Sequence, residues 1–172
     1  GGTLGDLISP KQNDKLSIPA HLPIEKRVSL LVDITCGISD LHEIGIVHGD
    51  LKPQNILLSN QDPPMAKLAD FGLATLTKTN KDLSASTLQF TTDKTKGTPI
   101  YLAPEMIDQG MGQVARASRS TDMYAFALIA YYVLTGKLPF AGMRESAHSI
   151  QVLKGTRPSF DSCVVPPELI KM

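Results

Sequence analysis

Apolar residues recur at three- and four-residue steps along the first half of the chain: Ile24, Val28, Leu31, Ile34, Ile38 and Leu41. That spacing predicts a helix with one buried face, closing near Gly45. A second helix is predicted over residues 121–136, the most apolar stretch. Asp122 sits in its first turn, where an acid complements the helix dipole, and Gly136 marks its end. Residues 147–154 form a further helix candidate. Asn55-Ile56-Leu57-Leu58-Ser59 reads as a strand and Ala66-Lys67-Leu68-Ala69 as its return, joined by turn chemistry at Asn60-Gln61-Asp62-Pro63-Pro64. Thr3 is placed to cap a short helix, with Asp6 three residues on. Residues 9–23 carry three prolines and read as a connector. Residues 75–96 are rich in Ser, Thr and Lys and read as a long surface loop, in part disordered. The pattern predicts an α+β fold, mainly helical, with one small hairpin.

Composition narrows the classes of function. Lys+Arg and Asp+Glu balance at 17 each, which argues against a nucleic-acid footprint or a membrane-surface helix. The longest apolar run, residues 125–134, is about half of the roughly 20 residues needed to span a bilayer, so it reads as a buried helix. Cys36 and Cys163 lack a C-x-x-C spacing and suggest no zinc site. Cys36 falls in the first helical pattern and is expected to be a small core residue. Cys163 is read as a free thiol. No bridge is expected between them, which fits a reducing cytosol. His42 is read as a helix-end residue, and His21 and His148 as surface residues. The chain opens on Gly1 and ends on an incipient helix at Met172, so both ends read as cuts.

Candidate chemistry concentrates in one stretch. His48-Gly49-Asp50-Leu51-Lys52-Pro53-Gln54-Asn55 packs an acid, a base and an amide into a tight turn, and Asp70-Phe71-Gly72 follows one hairpin later. A hairpin returns the chain to its start, so Asp70 is expected to face Asp50 and Asn55 across a cleft. Asn55 and Asp70 then supply oxygens suited to a hard cation such as Mg²⁺. Lys52 can place positive charge on a transferring phosphoryl group, and Asp50 can orient a hydroxyl and accept its proton.

Asp50 to Asn55 resembles the catalytic loop of protein kinases, Asp70-Phe71-Gly72 their magnesium motif, and Ala103-Pro104-Glu105 the motif that closes their activation segment. The resemblance covers nearly the whole chain. It implies a partial kinase domain over residues 1–172: the end of the hinge and most of the C-terminal lobe, without the N-terminal lobe. ATP and Mg²⁺ are the implied cofactors and a protein Ser or Thr the implied substrate. Asp50, Lys52 and Thr98 are the implied catalytic residues, with Thr98 bonding Asp50 and Lys52. Lys52, Asn55, Leu57, Asp70 and Thr3 would bind nucleotide, Leu57 under the adenine and Thr3 near the ribose, while Asn55 and Asp70 hold the metal. His48 and Phe71 would stack in one internal spine, with Asp122 bonding the backbone near His48. Ile129 and Val133 would support another spine. Glu105 is implied to pair with an Arg beyond Met172. A cytoplasmic location is expected for the domain.

Gly49 stands where many kinases carry an arginine, and aminoglycoside and choline kinases share a His-Gly-Asp-Leu loop. Lys52, Phe71-Gly72 and the segment from Gly97 to Glu105 favour a protein kinase. Lys52 and Thr98 favour Ser/Thr over Tyr, and the flanks resemble the tyrosine-kinase-like branch of Ser/Thr kinases. A pseudokinase scaffold is the alternative. Gly49 cannot grip a phosphate on the activation segment, so phosphorylation there is expected to have little effect. The fragment alone is expected to be inactive, since ATP in this family lies between two lobes. Oligomeric state is not legible.

Overall fold

The computed structural model describes residues 2–6, 22–76, 100–107 and 116–160. Four helices and four short strands are built from them: α1 (Ile24–Glu43), β1 (Ile46–Val47), β2 (Ile56–Leu58), β3 (Ala66–Leu68), β4 (Thr75–Leu76), α2 (Pro104–Ile107), α3 (Arg119–Thr135) and α4 (Glu145–Leu153). The α+β expectation holds, with helix predominating.

α1 buries Leu30, Ile34 and Ile38. The i, i+4, i+8 spacing puts these on one stripe, slightly rotated from the predicted one, because Leu30 is buried while Leu31 is only half so. Cys36 corrects the sequence reading. It lies two residues from both Ile34 and Ile38, about 200° around the helix, and is exposed. Cys163 and His21 lie outside the described residues.

α1 and α3 run antiparallel and are fastened at both ends. Near the start of α1, the Arg27 guanidinium donates to the carbonyl of Leu134 at 2.9 Å and to that of Leu22 at 2.8 Å. At its other end, His42 meets Asp122 in the first turn of α3. Ser118 and Thr121 cap α3 reciprocally: each hydroxyl accepts the other's backbone N–H, at 3.2 and 2.9 Å. Gly136 ends the helix at φ 72°, a left-handed conformation that costs glycine little. Leu30, Ile34 and Ile38 pack with Leu4, Leu51, Ile56, Ala125, Ile129, Tyr132 and Val133 into one core.

β2 and β3 form the predicted hairpin, pairing Ile56 with Leu68, Leu57 with Lys67 and Leu58 with Ala66. Asp33 of α1 accepts the Ala66 N–H at 2.9 Å, which fixes the hairpin on the helix. The opening segment adds a third row, with Leu4 N–H on the carbonyl of Ile56 and Leu58 N–H on that of Gly2. A second pairing was not expected. β1 and β4 run antiparallel, Ile46 against Leu76 and Val47 against Thr75. Thr75 and Leu76 are therefore strand, not the start of the long polar loop. Residues 77–96, the rest of the stretch predicted as that loop, lie outside the described residues.

His148 is a second correction. It shares a helix face with Val152, one turn on, and both are buried. Its ring meets Phe140 edge-on with centroids 4.8 Å apart.

Candidate active site

The turn between β1 and β2 brings three polar side chains together. Lys52 Nζ donates to Asp50 Oδ2 at 2.7 Å. Asn55 Nδ2 donates to the same oxygen at 3.0 Å and to the Asp50 carbonyl at 2.8 Å. Two donors on Oδ2 fix the carboxylate and leave Oδ1 without a partner among the described residues. Local sequence makes the turn: Pro53 opens a 3₁₀ turn over Pro53–Asn55, and the Asn55 N–H bonds back to the Lys52 carbonyl at 2.9 Å.

The loop is held from beneath by a buried acid. Asp122, only 2% exposed, accepts the His48 N–H on Oδ2 and the Gly49 N–H on Oδ1, each at 2.9 Å. His42 Nε2 bonds Oδ2 at 2.9 Å. Asp122 thus bonds the backbone beside His48 as expected. The part played by His42 was missed. It is the helix-end residue that was expected, but its side chain also closes the Asp122 cage. The signal available was a histidine near the end of one helix and an acid in the first turn of another.

His48 joins the turn to the next segment. Its Nδ1 accepts the Asp50 N–H at 3.3 Å, so Nε2 is the nitrogen that donates to the Ala69 carbonyl at 3.0 Å. The Ala69 N–H in turn donates to the Asn55 carbonyl at 2.9 Å. Ala69 is therefore pinned on both sides of its backbone, and Asp70 follows directly. Asp70 has φ 60° and an exposed side chain whose Oδ1 accepts the Gly72 N–H at 3.3 Å. Phe71 stacks on His48 with centroids 5.3 Å apart and planes tilted by 47°. That contact was expected, but Phe71 is 49% exposed and is not a core residue.

Leu57 stands on the outer side of the hairpin, exposed, and Thr3 bridges to it across an isolated pairing. Thr3 and Asp6 cap each other: the Asp6 carboxylate accepts the Thr3 N–H at 2.7 Å, and the Thr3 hydroxyl accepts the Asp6 N–H at 3.0 Å. Ile129 and Val133 are buried in α3 against Leu4, Leu51 and Ile56. Thr98 lies outside the described residues. The sequence thus gathered Asp50, Lys52 and Asn55 correctly, with Asp70 one residue beyond an atom bonded to Asn55.

Among the described residues no group of three His, Cys, Asp or Glu side chains could hold a metal ion. Among the described residues Asn55 uses Nδ2 for its internal bonds, which leaves Oδ1, and Asp70 uses Oδ1, which leaves Oδ2. Oxygens of this kind are the donor type that suits a hard cation taking its other ligands from phosphate and water, as Mg²⁺ does.

Residues 4–165 match the protein kinase domain family. The chain belongs to that family. Among its curated relatives, this kinase chain is 36% identical over 125 residues to the serine/threonine-protein kinase pkn2 of Myxococcus xanthus, an alignment that covers 72% of the chain and 14% of the relative. It is 37% identical to the serine/threonine-protein kinase/endoribonuclease IRE1a of Arabidopsis thaliana, over 76% of the chain and 14% of the relative. It is 32% identical to the serine/threonine-protein kinase PknL of Mycobacterium tuberculosis, over 95% of the chain and 38% of the relative. The kinase chain therefore spans a minor part of each relative's length. No described helix is long and apolar enough to cross a membrane.

Proposed function

We propose that this chain supplies the catalytic half of a protein serine/threonine kinase, forming most of its C-terminal lobe. The observation that carries the reading is the Asp50 carboxylate, fixed through Oδ2 by Lys52 and Asn55, with Oδ1 unpartnered among the described residues. In the proposed reaction, Asp50 Oδ1 orients a Ser or Thr hydroxyl of a protein substrate. It takes the proton as the hydroxyl oxygen bonds the γ-phosphorus and the bond to the ADP leaving group breaks. Lys52, 2.7 Å from Asp50, faces the transferring group with positive charge. Asn55 and Asp70 would hold Mg²⁺, which when bound neutralises phosphate charge. Leu57 and Thr3 would meet the nucleoside, and Thr98 the substrate pocket. A cytoplasmic setting and a purely protein substrate complete the proposal.

The pseudokinase alternative draws no support, because Asp50, Lys52, Asn55 and Asp70 are all present and the first three are already bonded together. The small-molecule-kinase alternative is disfavoured by the protein kinase match over residues 4–165.

In the full-length protein, Asp50→Asn should lower phosphotransfer by about 10²- to 10⁴-fold while changing nucleotide affinity less than about twofold. Phosphoamino-acid analysis of the wild-type product should give phosphoserine and phosphothreonine. Full activity in the variant, or a product dominated by phosphotyrosine, would defeat this reading.

A further inference from the structure

The end of the activation segment is carried by α2, which is a single turn. Helices that short do not hold their own orientation in water, so the neighbours must set it. α2 buries Met106 and, just before it, Ala103, and it packs on α4. Three residues from three different segments converge beside it: Glu105 on α2, Tyr124 on α3 and Arg157 in the turn after α4.

The Arg157 guanidinium lies over the Tyr124 ring, 5.2 Å from its centroid. It is not a free surface cation. Nη1 donates to the carbonyls of Val152 at 3.0 Å and Thr156 at 2.8 Å, which ties the guanidinium to the end of α4. The Tyr124 hydroxyl is buried and has no hydrogen-bond partner among the described residues. Burial raises the pKa of that hydroxyl, Arg157 lowers it and Glu105 raises it further. Opposite charges therefore act on the same phenol from two elements. Glu105 makes no ion pair among the described residues. Arg157 is a cation that acts on the same phenol as Glu105.

We propose that Arg157 is a substrate-positioning residue: stacked on Tyr124, it locks α4 to α3 and so holds α2 and Glu105 in the orientation that peptide binding requires. The proposal rests on the protein kinase reading for its link to substrate. Arginine suits this place because a planar guanidinium can stack on a ring while its N–H groups still reach two carbonyls. A lysine could keep the charge over the ring but could not keep both contacts.

The test uses the full-length protein and the variants Arg157→Ala, Arg157→Lys and Tyr124→Leu. Arg157→Ala should raise KM for a Ser-containing peptide by about 3- to 30-fold, with kcat and KM for ATP within about twofold of wild type. Tyr124→Leu should reproduce the effect, the double variant should be no worse than either alone, and Arg157→Lys should recover part of the loss. Amide hydrogen exchange gives a readout independent of turnover. Exchange at the Met106 and Ile107 N–H groups, which bond the Ala103 carbonyl at 2.9 and 3.2 Å, should quicken in Arg157→Ala, while exchange in α1 and α3 stays unchanged. Unchanged exchange at those two amides overturns the proposal, whether or not the protein phosphorylates anything. So does a loss confined to kcat that follows the folded fraction. Wild-type protein without phosphotransfer, combined with local quickening in the variant, would sink the kinase reading and leave the positioning role standing.

Discussion

Gly49 shows how much a single residue decides. It has φ 77°, and a Cβ added there would lie 3.0 Å from the Leu73 carbonyl oxygen and 3.3 Å from Ala117 Cβ. Any side chain here would begin by pressing on the backbone that follows Phe71-Gly72, in a conformation that L residues rarely adopt. The absence of arginine is thus built into the packing. Reintroducing it should not restore a phosphate grip. Gly49→Arg should instead cost about 1–3 kcal/mol of stability, the range for a side chain forced into a left-handed, crowded position. Chemical denaturation of the two proteins side by side would measure this, and an equally stable variant would show that the turn has room to move. The meeting of the polar side chains here was legible in the sequence. Asp50, Lys52 and Asn55 lie within six positions of one another, so a tight turn was enough to predict their meeting. Burial of single residues was less legible. Cys36 and His148 were both misjudged, because the side of a helix that faces the core is set by partners far along the chain.

At the scale of elements, α3 is the platform on which the site stands. Its Asp122 carboxylate satisfies two loop N–H groups and meets His42, so it joins α1, α3 and the turn that carries Asp50. A neutral amide cannot serve all three. Asp122→Asn sets an NH₂ against at least one donor and leaves a buried N–H unpaired, at a cost of about 1–3 kcal/mol. A falling midpoint in urea, together with weaker phosphotransfer, is the expected pair of observations. The helices and the hairpin were readable because each has its own periodicity or turn chemistry. The β1–β4 pairing was not. Two-residue strands carry no pattern, and their partners are separated by the whole hairpin.

The molecule as a whole should be sensitive to acid. His148 is buried, and neither ring nitrogen has a hydrogen-bond partner among the described residues. Burial disfavours the imidazolium and lowers its pKa from the ordinary 6.5. The unfolded chain therefore binds this proton more readily than the folded one. The stability that depends on neutral His148 is present above pH 6.5 and is lost as the pH falls below it, toward the lowered folded value. Thermal unfolding measured from pH 7.5 down to about 5 should show this decline. His148→Phe, which keeps a ring against Phe140, should flatten it. An undiminished decline in that variant would assign the acid sensitivity to other groups.

The double pinning of Ala69 has a mechanical meaning. Its N–H is held by Asn55 and its carbonyl by His48, while a few residues on, Thr75 is zipped to Val47. The stretch that carries Asp70 is thus a short leash tied at both ends, and a chain reaches at most about 3.5 Å per residue. Its carboxylate can swing, but it cannot wander from Asn55 until one knot slips. A tug on the chain beyond Leu76 would load the two-residue zipper first, and that fastening lies directly in line with Asp70.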